Sequence, residues 1–491
     1  MYTRWVIPMV FPAQPSRAFR ALARLSLAAA IITAPLRYRW VLQENLLPPI
    51  YPDFTNVLLF ISDGFLLATL ISWTISLLVD PRHWEKANPN RDKAETHWQQ
   101  AVLQFMAVFR HKAGESVRPA WLTIPVFALV MVAWLTAPFS SAPLISYHHA
   151  LRLTLLACVY LFCLIELEDF RLAIPAAWVQ VFLQSVIGIA QVMRQRSVNL
   201  APIGELKLDP AWNGVSIVWS EGQRSLRAYG LTDHPNILGG VLAFGLIVMM
   251  LGYFMFNTRW RALVAAGFSL GSLALLLTFS RTAWLAFCAG TLLLLFLLQK
   301  SRQPGVISGW LSLVAGSAAI LAPFLWHNAS HLGIRLNWGG SFQTVPAENQ
   351  AIGERRLLNQ AGLELLSKYP ITGVGLGTFP LALQREQPDW EFNFQPAHLA
   401  LLDAAAELGL LGGLVYATAL ATPWVLMLFN RRKLRITPEL AGASALLLAL
   451  TIVGFFDYYT WLLAPGLLWQ WLAWGLWAAA YQSSLREGAY A

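Results

Sequence analysis

Charged residues are scarce in this sequence: Asp, Glu, Lys and Arg together make up 12% of its 491 residues. A soluble domain carries about 25%, so a string of ordinary soluble domains is excluded. Hydrophobic residues make up 57% of the chain. They are concentrated in runs of ~20 residues, the length that a helix needs to cross a bilayer. The sequence therefore predicts an integral membrane protein with many membrane-spanning helices.

Cysteine is rare as well, and Cys158, Cys163 and Cys288 all fall inside apolar segments. An odd number of cysteines in lipid argues against a disulfide framework and against a thiolate metal site. The basic N-terminus precedes an apolar run without a small-residue cleavage site, so we interpret this run as an anchor and not as a cleaved signal peptide. A Walker motif is absent, and no predicted strand precedes the glycines at 373–377 as a dinucleotide fingerprint requires.

The formal net charge of +9 does not indicate a nucleic-acid partner, because many basic residues lie in short loops between apolar runs. Such loops face the cytoplasm according to the positive-inside rule. The 22 tryptophans are typical of a membrane protein, since indole rings anchor helices at headgroup level. The partner that the charge pattern predicts is membrane lipid.

About twelve apolar runs have the length of a membrane-spanning helix. Their approximate limits are 19–36, 54–79, 119–138, 148–166, 172–193, 235–256, 262–279, 282–299, 306–326, 406–429, 440–459 and 464–482. If the short basic loops face the cytoplasm, both termini are cytoplasmic, and the larger loops 194–234 and 327–405 lie outside. The charged segment 80–118 is predicted to be a cytoplasmic loop with an amphipathic helix on the membrane.

The chain divides into three parts on this prediction. Residues 1–193 hold the first five spans, residues 194–429 form a core with the two outer loops, and residues 430–491 hold the last two spans. In the second outer loop, apolar residues recur at helical spacing until Tyr369-Pro370, where that helix should end. A glycine-rich turn follows, and another helix is predicted to start after Pro396 and to run into the tenth span.

Three polar residues stand beside apolar spans at the predicted outer face, where ionisable groups are costly. Arg227 precedes the sixth span, Arg281 lies between two spans with almost no loop, and His398 precedes the tenth span. Arginine binds phosphate oxygens through a planar, permanently charged fork, and a neutral histidine accepts a proton from a hydroxyl. The set suits attack of a hydroxyl on a carbon that bears a lipid pyrophosphate, which leaves readily once its charge is stabilised.

Each of these residues also has a structural interpretation. Arg281 can be a snorkelling anchor, Arg227 a solvated loop charge, and His398 a helix-start residue without a chemical role. His234, with Pro235-Asn236, is typical of a turn and helix start.

Acidic residues at three places in the chain leave alternatives open. Glu407 lies nine residues after His398 and on the opposite helical face, so it either braces a neighbouring helix or binds substrate. Asp457 is either an interfacial residue beside aromatic anchors or part of the site. Asp389-x-Glu391 is a pattern that occurs at divalent-metal sites but is also common without a metal, and no metal is predicted.

Several of these residues stand in motifs of fixed order. Arg227-x-x-Gly230 is followed by His234-Pro235-Asn236, then by Ser280-Arg281-Thr282-Ala-Trp284, then by Tyr369-Pro370 with Gly373-Val-Gly375-x-Gly377-x-Phe379, and finally by His398 and Glu407-Leu-Gly409-Leu-Leu-Gly412. In order and in placement around the large outer loop, this set resembles the O-antigen ligase and polymerase superfamily. The resemblance covers roughly 225–415. It departs from the family at Leu399, where relatives often have Asn.

The resemblance implies an all-α, GT-C-like membrane bundle that transfers a glycan without a metal or cofactor and with inversion at the anomeric carbon. The reaction would take place at the outer face of the cytoplasmic membrane. The implied donor is a glycan on undecaprenyl pyrophosphate, and the implied acceptor is a glycan or glycolipid. By position, Arg227 and Arg281 would hold the pyrophosphate, and His398 would activate the acceptor hydroxyl. Further substrate-binding residues are expected at His234, Arg355, Arg356, Glu407 and Asp457.

Other functions remain open at this point. Ligases, repeat-unit polymerases and protein glycosylating enzymes differ in acceptor recognition, which the sequence does not reveal. Some relatives have been described as inorganic-carbon carriers, but a transporter usually places its ionisable residues near the bilayer midplane. The candidates here gather at one face, which favours an enzyme. A purely structural envelope protein would leave the arginines unexplained.

Overall fold

The computed structural model describes residues 15–79, 120–167, 170–220, 223–256, 258–327, 329, 333 and 346–489. Its helices are α1 (Pro15–Thr33), α2 (Pro52–Thr55), α3 (Ile61–Leu78), α4 (Ala120–Thr136), α5 (Pro143–Glu166), α6 (Ala173–Arg194), α7 (Pro235–Met255), α8 (Thr258–Leu277), α9 (Arg281–Lys300), α10 (Val306–His327), α11 (Pro346–Lys368), α12 (Phe379–Glu386), α13 (Ala400–Phe429), α14 (Pro438–Gly454), α15 (Tyr459–Leu462) and α16 (Ala464–Ala489). Strands β1 (Arg39–Gln43) and β2 (Val57–Phe60) form one antiparallel pair, and β3 (Ile217–Ser220) and β4 (Gln223–Leu226) form another.

The predicted all-α membrane architecture is confirmed. Each of the twelve predicted spans coincides with a helix, and nine helices of the described residues are long and apolar enough to cross a membrane. The remaining three are weaker candidates by length or composition: α1 carries three arginines, α14 is only 17 residues long, and α16 is rich in tryptophan. The predicted amphipathic helix of segment 80–118 lies outside the described residues.

Helix α7 forms the centre of the bundle. Almost its whole length is buried, and it packs against α6, α8, α9, α14 and α16. Small residues allow this close approach: a side chain at Gly245 would collide with Val181 of α6, and one at Gly252 would collide with Ile174. The start of α7, which follows Arg227 and His234 in the chain, is therefore held in a fixed place.

Every second loop along the chain lies at the same end of the bundle, which we call the loop end. Arg37, before β1, forms an ion pair with Asp233, before α7. The Ser141 amide, after α4, donates to the Val374 carbonyl at 2.8 Å. The rings of Phe54 and Tyr458 are 6.4 Å apart. The following described segments therefore lie together at the loop end: 34–60, 137–142, 195–220, 223–234, 278–280, 369–399 and 455–463.

Helix α13 is broken at Gly409, whose φ of 76° and ψ of 177° are not helical. The break frees backbone groups on both sides, and the glycine-rich turn binds them. The amides of Val374 and Gly375 each donate at 2.9 Å, to the carbonyls of Ala406 and Glu407, and the Leu410 amide donates to the Pro370 carbonyl at 2.8 Å. The turn thus replaces the missing helical hydrogen bonds and fixes the first half of α13 at the loop end.

Candidate active site

Polar side chains of α6 hold the segment that carries Arg227. The Gln191 side chain accepts hydrogen bonds from the Tyr229 and Gly230 amides at 3.2 and 2.8 Å and donates to the Gly230 carbonyl at 2.8 Å. The Gln184 side chain accepts from the Leu231 amide at 2.8 Å. We did not predict these glutamines as site residues. The sequence does contain a pattern that could have identified them, because glutamine side chains lie on one face of an otherwise apolar span.

We expect Gln191→Leu to lower both the melting temperature and the activity of the candidate site. The substitution leaves buried backbone groups without partners, at a cost of about 1–3 kcal/mol for each group, and it releases the segment next to Arg227. Thermal unfolding of the purified protein in detergent measures the first effect. Gln299→Leu, at an exposed position of α9, is the matched control and should change neither quantity. Wild-type stability in Gln191→Leu would contradict the positioning role.

The Arg227 side chain forms hydrogen bonds both at the start of α7 and in the turn before α9. It is only 5% exposed. Its Nε donates to the Thr278 carbonyl at 2.7 Å, and its Nη2 donates to Asn236 Oδ1 at 2.8 Å. The first two motifs of the sequence therefore meet in space, and the solvated-loop interpretation of Arg227 is wrong because its side chain is buried and bonded.

The N-termini of α7 and α9 lie side by side at this point. Gly239, in the first turns of α7, has no room for a Cβ against Ser280 and Ala283 at the start of α9. Arg281 is the first residue of α9, and its side chain is exposed. A cation at a helix N-terminus is unfavourable, because the helix dipole is already positive there. The two arginines and the two helix N-termini make this corner strongly electropositive, which suits an anion.

His234 forms the N-cap of α7. Its Nδ1 accepts a hydrogen bond from the Asn236 amide at 3.1 Å, and its Nε2 lies 2.7 Å from Ser216 Oγ. Burial, and secondarily the charge of Arg227, lower the pKa of His234 to about 3. Both ring nitrogens are engaged within the protein, so the geometry favours the helix-start interpretation over the predicted contact with substrate.

We expect the wild-type protein to lose stability as the pH falls below 6.5. The unfolded chain binds a proton at His234 near pH 6.5, whereas the folded chain does so only near pH 3. Between these values, protonation favours unfolding by at most about 1.4 kcal/mol per pH unit. His234→Asn keeps an N-cap residue and should reduce the dependence of the melting temperature on pH. His327→Asn, at an exposed position, should leave this dependence unchanged. Equal slopes in all three proteins would contradict this assignment.

His398 faces an acidic partner that comes from another part of the chain. Its Nδ1 lies 3.6 Å from Asp457 Oδ1, and both side chains are 12% exposed. Its ring also packs edge-on against Tyr458, with 5.2 Å between centroids. Burial alone raises the pKa of Asp457, but His398 and, more weakly, the charges of Arg355 and His234 outweigh burial and hold it below its usual value. Asp457 is thus an anion that lies beside Nδ1 of His398.

Two residues of α11 complete the cluster. The charge of Arg355 contributes to lowering the pKa values of both His234 and Asp457, so Arg355 lies within electrostatic range of both residues. Burial raises the pKa of the neighbouring Glu354, and the charge of His398 opposes this shift. Glu354 was not predicted, because a single acid on a polar helix gives no signal. Arg356 is exposed, and no described contact links it to the cluster.

Glu407 braces the fold through contacts with two other segments of the chain. Its carboxylate accepts a hydrogen bond from Trp461 Nε1 at 2.9 Å and lies 3.5 Å from the Phe379 amide nitrogen. The side chain is completely buried. Of the two interpretations that the sequence left open, the contacts favour bracing over substrate binding. Within the described residues, no group of three or more His, Cys, Asp or Glu side chains is arranged to hold a metal ion.

Comparison with known families identifies the part of the chain that carries this cluster. The model of the O-antigen ligase family matches residues 266–417. The chain carries an O-antigen ligase domain. The predicted superfamily is therefore confirmed. No curated protein matches the chain.

The O-antigen ligase domain does not contain the whole cluster. The matched residues include Arg281, Arg355 and His398, but Arg227 precedes them and Asp457 follows them. Arg227 joins the domain through the Thr278 carbonyl, and Asp457 joins it through His398. The candidate site is thus built by the O-antigen ligase domain together with the segments on either side.

Proposed function

We propose that this protein is a glycosyltransferase that moves a glycan from undecaprenyl pyrophosphate to an acceptor hydroxyl at the outer face of the cytoplasmic membrane. The O-antigen ligase domain indicates glycan transfer in general. The observation that carries the specific proposal is the electropositive corner formed by Arg227, Arg281 and the adjacent N-termini of α7 and α9. A pyrophosphate is the kind of ligand that such a corner stabilises.

His398 is the general base in this proposal. Asp457 faces Nδ1 of His398, which leaves Nε2 to accept the proton of the acceptor hydroxyl. The hydroxyl oxygen forms a bond to the anomeric carbon while the bond from that carbon to the pyrophosphate oxygen breaks. A single displacement of this kind inverts the anomeric configuration. Asp457 then stabilises the imidazolium, and the two arginines stabilise the charge on the leaving pyrophosphate.

The charge distribution supports an outward-facing loop end. The end of the bundle opposite the loop end carries short basic loops, which the positive-inside rule assigns to the cytoplasm. Their basic residues are Arg259, Arg261, Lys300, Arg302, Arg431, Arg432, Lys433 and Arg435. In this orientation the cluster of Arg227, His398 and Asp457 lies at the outer end of the bundle, on the side where the proposed reaction would take place.

The acceptor of this reaction is a glycan or glycolipid, as in an O-antigen ligase. Repeat-unit polymerisation and protein glycosylation use the same donor chemistry and remain the alternatives. A solute carrier is disfavoured, because the ionisable cluster lies at the loop end and a carrier typically binds its substrate near the midplane.

Transfer by the purified protein tests the proposal. The donor is a lipid-linked glycan, the candidate acceptors are a glycolipid, a second lipid-linked unit and a protein, and EDTA is present throughout. We expect wild-type protein to transfer the glycan to one acceptor, with inversion at the anomeric carbon, and that acceptor names the subclass. Absence of transfer by folded wild-type protein to any acceptor would count against the enzyme, and solute flux would be measured next.

A further inference from the structure

A second polar cleft lies at the loop end, beside the candidate active site but lined largely by the N-terminal part of the chain. Part of the cleft is open to solvent. Helix α5 contributes His148, His149 and Arg152, the β1–β2 region contributes Arg39 and Asp53, and Asp233 comes from the turn before α7. The mechanism described above uses none of these residues.

The charges that line the cleft are balanced in pairs. Arg39 forms an ion pair with Asp53 and lies 3.8 Å from Asp233, which also binds Arg37. Arg152 Nε lies 3.2 Å from Asp63 Oδ1, and both of these side chains are buried. A net anion or cation would therefore meet as many like charges as opposite ones. The lining instead presents donors and acceptors side by side, which matches a ligand whose groups both donate and accept.

Hydroxyl groups have this property, since each has one donor and two acceptor positions. Aromatic surface accompanies the polar groups, because Phe54 and Phe60 line the same cleft and the Arg152 guanidinium lies 4.7 Å from the Phe60 ring centroid. Ligand sites typically combine such apolar surface with a few fixed polar groups. A neutral sugar, with hydroxyls at its edge and an apolar face, fits this lining.

The cleft is connected to the candidate active site by packed residues. Tyr458 stands between the two, with its ring 5.2 Å from His398 and 6.4 Å from Phe54. On the other side, a Cβ at Gly377 would collide with the His149 ring, so the glycine-rich turn and the cleft fit against each other. The cleft thus lies next to the candidate active site, with the ring of Tyr458 between its Phe54 wall and His398.

We infer that this cleft binds a neutral sugar residue of the acceptor and holds the acceptor hydroxyl toward His398. This inference rests on the proposed function. It assigns Asp53 and His149 as acceptor-binding residues. They belong to the part of the chain that precedes the O-antigen ligase domain, where acceptor recognition can differ between relatives that share the donor chemistry.

The test separates binding from transfer. The binding probe is the neutral oligosaccharide released by mild acid from the membrane glycolipids of the source cell, and inorganic phosphate is the anionic competitor. Binding to the full chain in nanodiscs is measured for wild type, Asp53→Asn, His149→Gln and the control Asp389→Asn, at an exposed site of the loop end. Each cleft variant loses hydrogen bonds that involve a polar or charged partner, so we expect affinity to fall about tenfold or more. The control should bind like wild type.

In the transfer assay, the same cleft variants should raise the KM for the acceptor and leave the KM for the lipid-linked donor unchanged. Equal binding by all four proteins, absence of binding by wild type, competition by phosphate, or a raised donor KM would each overturn the inference. If wild type binds the oligosaccharide through these residues but transfers nothing, the proposed function fails and the saccharide site stands. If transfer occurs and the cleft variants behave like wild type, only this inference fails. Melting temperatures verify that the variants are folded.

Discussion

His398→Ala should abolish almost all glycan transfer, lowering kcat by about 10²–10⁴-fold, the range that general acid–base catalysis supplies. The variant lacks the group that removes the proton from the acceptor hydroxyl, while the arginines that hold the pyrophosphate remain. Binding of the lipid-linked donor should therefore change little. Single-turnover transfer with saturating donor and acceptor measures the effect on the chemical step without the contribution of substrate binding.

Two further variants make this prediction specific. His327→Ala removes an exposed histidine at the end of α10, outside the cluster, and should keep wild-type activity. Asp457→Asn keeps the shape of the partner of His398 but removes its charge, so kcat should fall by less than in His398→Ala. Full activity of folded His398→Ala would show that another group accepts the proton.

The positions of the helices were predictable from the sequence because a bilayer imposes one length on every apolar run. Even the weak first span, with Pro35 and two arginines behind it, coincides with α1. Helix boundaries were less predictable where apolar composition continues past the helix end. The predicted second span began at residue 54, but α3 begins at Ile61, because residues 57–60 form strand β2.

The break in α13 illustrates a different limit. The sequence predicted a glycine-rich turn at 373–377 and a helix that runs into the tenth span. It did not reveal that the turn supplies hydrogen bonds to the carbonyls exposed by the break at Gly409. Such a pairing depends on two backbone segments more than thirty residues apart. Composition and periodicity report only on neighbours within a few turns of a helix.

Partners within the candidate site were the least predictable feature. The sequence identified Arg227, Arg281 and His398 as separate polar residues beside apolar spans. The partners of Arg227 and His398 are a main-chain carbonyl and an aspartate 59 residues later in the chain. Asp457 was identified only as an acid at a span end, with no means of choosing between interface and site. Every residue has a backbone carbonyl, so no sequence motif can indicate which carbonyl Arg227 binds.

Arg281→Ala should lower transfer by about 10²–10³-fold, as expected when one donor to a developing anion is removed. Its side chain is exposed at the first residue of α9, where the helix dipole makes a cation unfavourable. Removing the arginine should therefore leave the melting temperature unchanged or raise it slightly. Arg281→Lys keeps the charge but loses the planar fork, and its activity should lie between wild type and Arg281→Ala.

Arg227→Ala is the contrasting case, because Arg227 is buried and bonded to both the Thr278 carbonyl and Asn236. Its loss leaves a buried carbonyl without a partner and should lower the melting temperature along with the transfer activity. Arg385→Ala, at an exposed position of α12, should change neither quantity. If Arg281 serves only as a membrane anchor, Arg281→Ala will transfer like wild type. Loss of activity at unchanged stability instead indicates that Arg281 acts on the bound donor or on the charge that develops as the pyrophosphate leaves.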